Sequence, residues 1–138
     1  MSDIDNQQRP GRARLHTQER AQKAWEYVDA VTKEGDGVQA RYGTLARKLP
    51  SYLQVSGLGQ TLAFLYAKRS SDKKTTAEGR LLEQLTGYLR STLRRERLAS
   101  DVVMSVVLAL EPAEYRRATR EIAALATWLK RFAEGRLP

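Results

Sequence analysis

The sequence predicts an all-α fold, a single compact bundle of about six helices, and three observations lead there. Its apolar residues are Leu and Ala more than Val and Ile, a balance that favours helices over strands. They recur at steps of three and four, as on one helix face, and show no run of strand-like alternation. The 138 residues suit one domain, and a hydrophobic content of 41% is enough to give it a core.

Residues 1–16 hold Asn, Gln, Arg, Pro10 and Gly11 with little to bury, so a flexible basic N-terminal arm is expected, with the helical bundle occupying 17–138. Thr17 is placed to cap a first helix running to about Glu34, stopped by Gly35 and Gly37, with Ala21, Ala24, Trp25, Val28 and Val31 facing in. A second helix is expected from Val38, burying Tyr42, Leu45 and Leu49. Pro50 should interrupt or kink it, because the ring removes a donor and restricts Leu49. A short piece continues to Gly57, and a third pattern, Leu58, Leu62 and Leu65, runs to Arg69. Residues 70–74 read as a loop. Thr75 and Glu78 have capping-box spacing and open a long helix to about Leu98. Its stripe takes Leu81 or Leu82, Leu85, Tyr88 or Leu89, and Leu93. Ser100 or Asp101 caps a nearly all-apolar segment, Val102 to Leu110, expected as the central core helix. Pro112 suits the first turn of a last helix that ends near Glu134 and Gly135.

Several chemistries are excluded. There is no Cys, hence no disulfide, thiolate metal site or Cys nucleophile, and the single His16 leaves no triad unless the arm supplies it. Glu111, Glu114 and Glu121 invite a metal reading, but acids at a helix start follow from the dipole, and no second cluster supports one. Gly57-Leu58-Gly59 lacks the strand, third glycine and Lys-Ser/Thr pair of a nucleotide loop, so it reads as a tight helix–helix turn, with contact to an RNA phosphate as the remaining option. Base stacking is open only to Tyr52 and Tyr66. No cofactor and no catalytic role are expected. No apolar run reaches the roughly 18 residues needed to span a bilayer, and the polar start does not read as a signal peptide, so a soluble, cytoplasmic protein without membrane partners is expected.

What remains is charge. Lys and Arg number 24 against 16 acids, a net +8, and the excess concentrates in 38–74, where Arg41, Arg47, Lys48, Lys68, Arg69, Lys73 and Lys74 face Asp72 alone. Such a basic stretch suits a polyanion or is simply a solvated surface. The last helix is two-faced. Tyr115, Ala118, Ile122, Leu125, Leu129 and Phe132 form an apolar arc with Trp128 at its edge, and Arg116, Arg117, Arg120, Lys130 and Arg131 fall within about 140° on the other side. Leu125 and Trp128 are expected as core anchors. Like charges at helical spacing repel, and the planar fork of Arg suits phosphate oxygens. A weaker stripe, Arg90, Arg94 and Arg97, is diluted by Glu83 and Glu96 and reads as solvated surface.

Read in order, QKAWEYV (22–28), YGTLARKLP (42–50), GLGQTLAFLYAK (57–68) and YRRATREIAALATWLKRF (115–132) resemble the small helical subunit of type III-B CRISPR effector complexes, the Cmr small subunit. The likeness runs over most of 17–134, with the last motif the most specific, and nothing in 1–16 or 70–99 is matched. It implies an all-helical, non-catalytic protein that stacks head to tail as the inner filament, beside larger subunits holding the guide RNA. It further implies a basic face along the guide RNA–target RNA duplex. By resemblance, Lys48, Lys68, Arg116, Arg117 and Lys130 inherit contact with RNA or with a neighbouring subunit, copies of itself included. The charge geometry adds Arg41, Arg47, Arg69 and Arg120. A different reading is a free-standing helical DNA-binding regulator, which needs a dimer and a polar recognition helix after the Gly57–Gly59 turn. An RNA-cutting enzyme lacks a general base.

Overall fold

The computed structural model describes residues 2–70 and 75–138, with side chains from His16 onward. It holds α1 (Ser2–Val31), α2 (Asp36–Lys68), α3 (Ala77–Leu93), α4 (Val103–Leu108) and α5 (Pro112–Arg136), and no strand among the described residues. Thr17 lies inside α1 rather than capping it. The side chains of 1–15, most of the expected arm, and the loop residues 71–74 are outside the described residues.

Pro50 does not break its helix. It sits inside α2, held between the buried Leu49 and Leu53, and the bend falls at Gly57, with φ 82° and ψ 172°, a conformation open to glycine. The Tyr52 and Phe64 rings, one from each limb, stack at 5.5 Å. Both limbs reach the first turn of α3: Arg41 Nε lies 3.2 Å from Glu78 Oε2, and a Cβ on Gly79 would sit 3.6 Å from Arg69 Cβ. Counted by limb, the described residues hold six helical segments, the expected number.

The central helix is α5, which packs against α1, α2 and α3 and buries Ala118, Ile122, Leu125, Ala126, Leu129 and Ala133. This corrects the expectation for 102–110. There α4 has six residues and buries only Val103 and Val107, while Leu108 is 70% exposed, because a helix so short presents one turn to the core. The long helix is also shorter than expected. Thr76, not Thr75, caps it, its hydroxyl accepting from Gly79 N at 3.0 Å, and it stops at Leu93 where Arg94 turns left-handed at φ 54°. Trp25, expected inside, is 43% exposed. It lies across α5 edge-on to Phe132 with Arg136 over its ring, while its neighbour Ala24 takes the core position.

Two polar contacts lock the helices together. The buried Tyr42 hydroxyl (α2) donates to Gln84 Oε1 (α3), and Gln84 Nε2 donates to the Tyr27 carbonyl (α1) at 3.0 Å. Arg20 (α1) donates to Glu121 Oε2 (α5) at 2.9 Å and to the Tyr88 oxygen (α3) at 3.2 Å. Burial pushes the Glu121 carboxyl up, but hydrogen bonding to Arg20, with help from His16 and Tyr88, outweighs it and leaves the group below its ordinary value.

Replacing Gln84 by Leu should cost about 1–3 kcal/mol in denaturant unfolding, because a buried hydroxyl is left without its acceptor, and adding Tyr42→Phe should recover part of that cost. Leu125→Ala should cost about 2–5 kcal/mol, and Trp128→Ala, at a half-buried site stacked on Phe132, distinctly less. The stabilisation tied to Glu121 is present above the ordinary carboxylate range and lost as pH falls through its lowered folded value. Thermal melts of wild type and Glu121→Gln should therefore differ most near neutrality and converge on acidification.

Candidate nucleic-acid interface

The nine cations singled out from the sequence divide into two groups. Four already have partners within the fold. Arg41 pairs with Glu78, as above. Arg47 Nη2 donates to the Leu137 and Pro138 carbonyl oxygens, each at 3.3 Å, and so ties the end of α5 to α2. Arg69 donates to the Tyr66 carbonyl at 2.8 Å and lies over the Tyr66 ring at 3.6 Å. Arg117 Nη2 donates to the Thr92 carbonyl at 2.6 Å and satisfies one of the last carbonyls of α3. Charge at these four positions is partly structural, and a phosphate there would compete with an existing contact.

The other five, Lys48, Lys68, Arg116, Arg120 and Lys130, have no ion pair or hydrogen bond to any described residue. All but the half-buried Lys130 are exposed. Arg116 and Arg120 are one turn apart on α5, and Arg131 lies 11 residues beyond Arg120, about 20° around the helix, so these three share its outer face. Arg131 is 4.0 Å from the exposed Glu134, a solvent-screened pair of little consequence. Glu121, the acid next to Arg120, is turned away and engaged by Arg20, with His16 3.4 Å off. The outer face of α5 is therefore cationic with its nearest acid withdrawn.

At the glycine turn the Gly59 donor is already engaged. Gly59 N donates to the Tyr115 hydroxyl at 2.9 Å and Thr61 Oγ1 to the Gly57 carbonyl at 2.7 Å, which leaves a helix–helix turn, as expected, with its Gly59 donor engaged. Tyr52 is stacked on Phe64 and Tyr66 lies beneath Arg69, so neither ring has both faces open to a base. Among the described residues there is no group of three or more His, Asp or Glu able to hold a metal, and no helix long and apolar enough to cross a membrane. The neighbour that sequence spacing could not supply is the end of α3, which Arg117 brings against the start of α5.

Comparison with known proteins accords with this fold. The family of CRISPR-associated proteins designated Cas_Cmr5 matches residues 16–136. The CRISPR system Cmr subunit Cmr5 of Thermus thermophilus is 37% identical over 123 residues, which cover 88% of this chain and 95% of that protein. The crystal structure of a CRISPR-associated Cmr5 family protein from the same organism superposes with a TM-score of 0.69 at 32% identity, over 88% of this chain and 97% of that one. A helical chain of this topology, matched over nearly its whole length, belongs to the Cmr5 family of small Cmr-type CRISPR subunits.

Proposed function

We propose that this chain is the non-catalytic small subunit of an RNA-guided type III-B effector in antiviral defence, stacking as the inner filament and contacting the guide RNA–target RNA duplex through its basic face. The observation that carries this reading is the outer face of α5, where Arg116 and Arg120 stand free and Glu121 is drawn off by Arg20. Unpartnered like charges at one-turn spacing repel, and a polyanion relieves that repulsion. Phosphate neutralisation of this kind is blind to sequence, which suits a complex whose specificity comes from base pairing. Lys48, Lys68 and Lys130 join the same role, whereas Arg41, Arg47, Arg69 and Arg117 serve it through the shape they maintain. A cytoplasmic location goes with this assignment. The absence of Cys removes a thiol nucleophile, in keeping with a role without chemistry.

The DNA-binding regulator is disfavoured by the segment after the Gly57 bend. Thr61, Leu62 and Leu65 are buried there, which leaves little of that helix to read a groove.

In an effector assembled from its subunits, Arg116→Glu with Arg120→Glu should lower retention of target RNA without altering sequence preference. The salt dependence should flatten by about one unit of slope for every phosphate that is no longer neutralised. Retention equal to wild type across a salt series would mean that this face is only solvated.

A further inference from the structure

Arginines of the turn after α3 lie beside the cationic face of α5, although the two are remote in sequence. Arg117 reaches the Thr92 carbonyl at 2.6 Å, two residues before Arg94, and Arg116 and Arg120 flank Arg117 on α5. The turn carries Arg94, Arg95 and Arg97 against Glu96, all four exposed, and the three arginines have no side-chain partner among the described residues. Its shape is held. Arg90 Nε donates to the Leu98 carbonyl at 2.9 Å, Arg95 N to the Arg90 carbonyl at 3.0 Å, and Leu98 is buried beneath. Arg94 occupies a left-handed conformation that favours glycine, so what the residue adds there is its side chain.

We propose that Arg94, Arg95 and Arg97 extend the α5 face into one patch, and that this patch grips the phosphodiester backbone of a nucleic-acid strand. The proposal rests on the reading of α5 above and adds to it a second, sequence-remote set of contacts. Arg94, Arg95, Arg97, Arg116 and Arg120 have no side-chain partner among the described residues, and the connection from α3 to α4 sets only Glu96 and Asp101 beside them, so a net positive charge is left to repel itself in isolation. A backbone of regularly spaced phosphates compensates that repulsion without any demand on base identity. The turn presents its arginines on a braced loop, so they enter the contact with their backbone already ordered.

The test uses the effector assembled with guide RNA and a labelled complementary RNA strand, with retention measured across a salt series. The variants are Arg95→Gln with Arg97→Gln, the same pair with Arg94→Gly, and Arg116→Gln with Arg120→Gln as reference. Arg94→Gly keeps the left-handed backbone, and the double variant leaves that position untouched, so unchanged melting of the isolated chain is expected for both. The turn variants should flatten the salt dependence by about one unit for each phosphate released, as the α5 variant does. If the α5 variant weakens retention and the turn variants do not, the extended patch is wrong and the α5 reading stands. If neither weakens it, both fail. A turn variant that enters the complex poorly, yet retains RNA with wild-type salt dependence per copy incorporated, would mean that the turn meets a protein neighbour, which also overturns the proposal.

Discussion

The hydrogen bonds through Gln84 hold three helices in one rotational setting. Gln84 is 7% exposed and has one acceptor and one donor direction in use, toward the Tyr42 hydroxyl and the Tyr27 carbonyl. Burial disfavours the charged phenolate, so Tyr42 is held firmly in its protonated, donating form. An apolar contact would tolerate small rotations of α1 against α2 and α3. This bridge does not, because an unmet buried amide or hydroxyl is costly. With α2 and α3 set, the apolar arc of α5 has one way to pack, and its cationic arc is left facing outward.

The second constraint is the bend at Gly57. A straight helix of 33 residues would be roughly 50 Å long and would hold Arg41 and Arg69 far apart. Folding back brings Arg41 and Arg69 to the start of α3, where Arg41 finds the Glu78 carboxylate, while Arg69 is held by the ring and carbonyl of Tyr66 on its own helix. Part of the positive charge of this stretch, at Arg41, Arg47 and Arg69, is internal to the architecture. The free charge lies at Lys48 and Lys68 of α2, on the outer face of α5 and in the turn after α3.

This division gives basic residues two kinds of work. Arg47 and Arg117 satisfy carbonyls at helix ends that would otherwise lack partners, and Arg20 draws Glu121 inward. The second effect matters for the surface as well as the core. Each acid held inside leaves the outer potential of its helix more positive, so the internal ion pair and the charge of the outer face of α5 are coupled through Glu121.

The sequence by itself determined the helical class, the inward faces and the two-sided character of the last helix, because these depend on local periodicity. Leu58, Leu62, Leu65, Ile122, Leu125 and Leu129 are all buried where the three-and-four spacing puts them. It also carried the family likeness in the motifs at 42–50, 57–68 and 115–132. It set the turn at Gly57 but added a break at Pro50 that the structure lacks, and it gave 102–110 a core role that α4 does not fill. A proline costs one donor, which flanking burial can offset, and an apolar run shows hydrophobicity but not whether a neighbour exists to cover it. Nor could it separate the paired cations from the free ones. Arg41 finds Glu78, Arg20 finds Glu121 and Arg117 finds the end of α3 across 37, 101 and 25 residues. Only the tertiary structure decides such pairings, because periodicity orients a side chain about its own helix, while packing sets what stands opposite it.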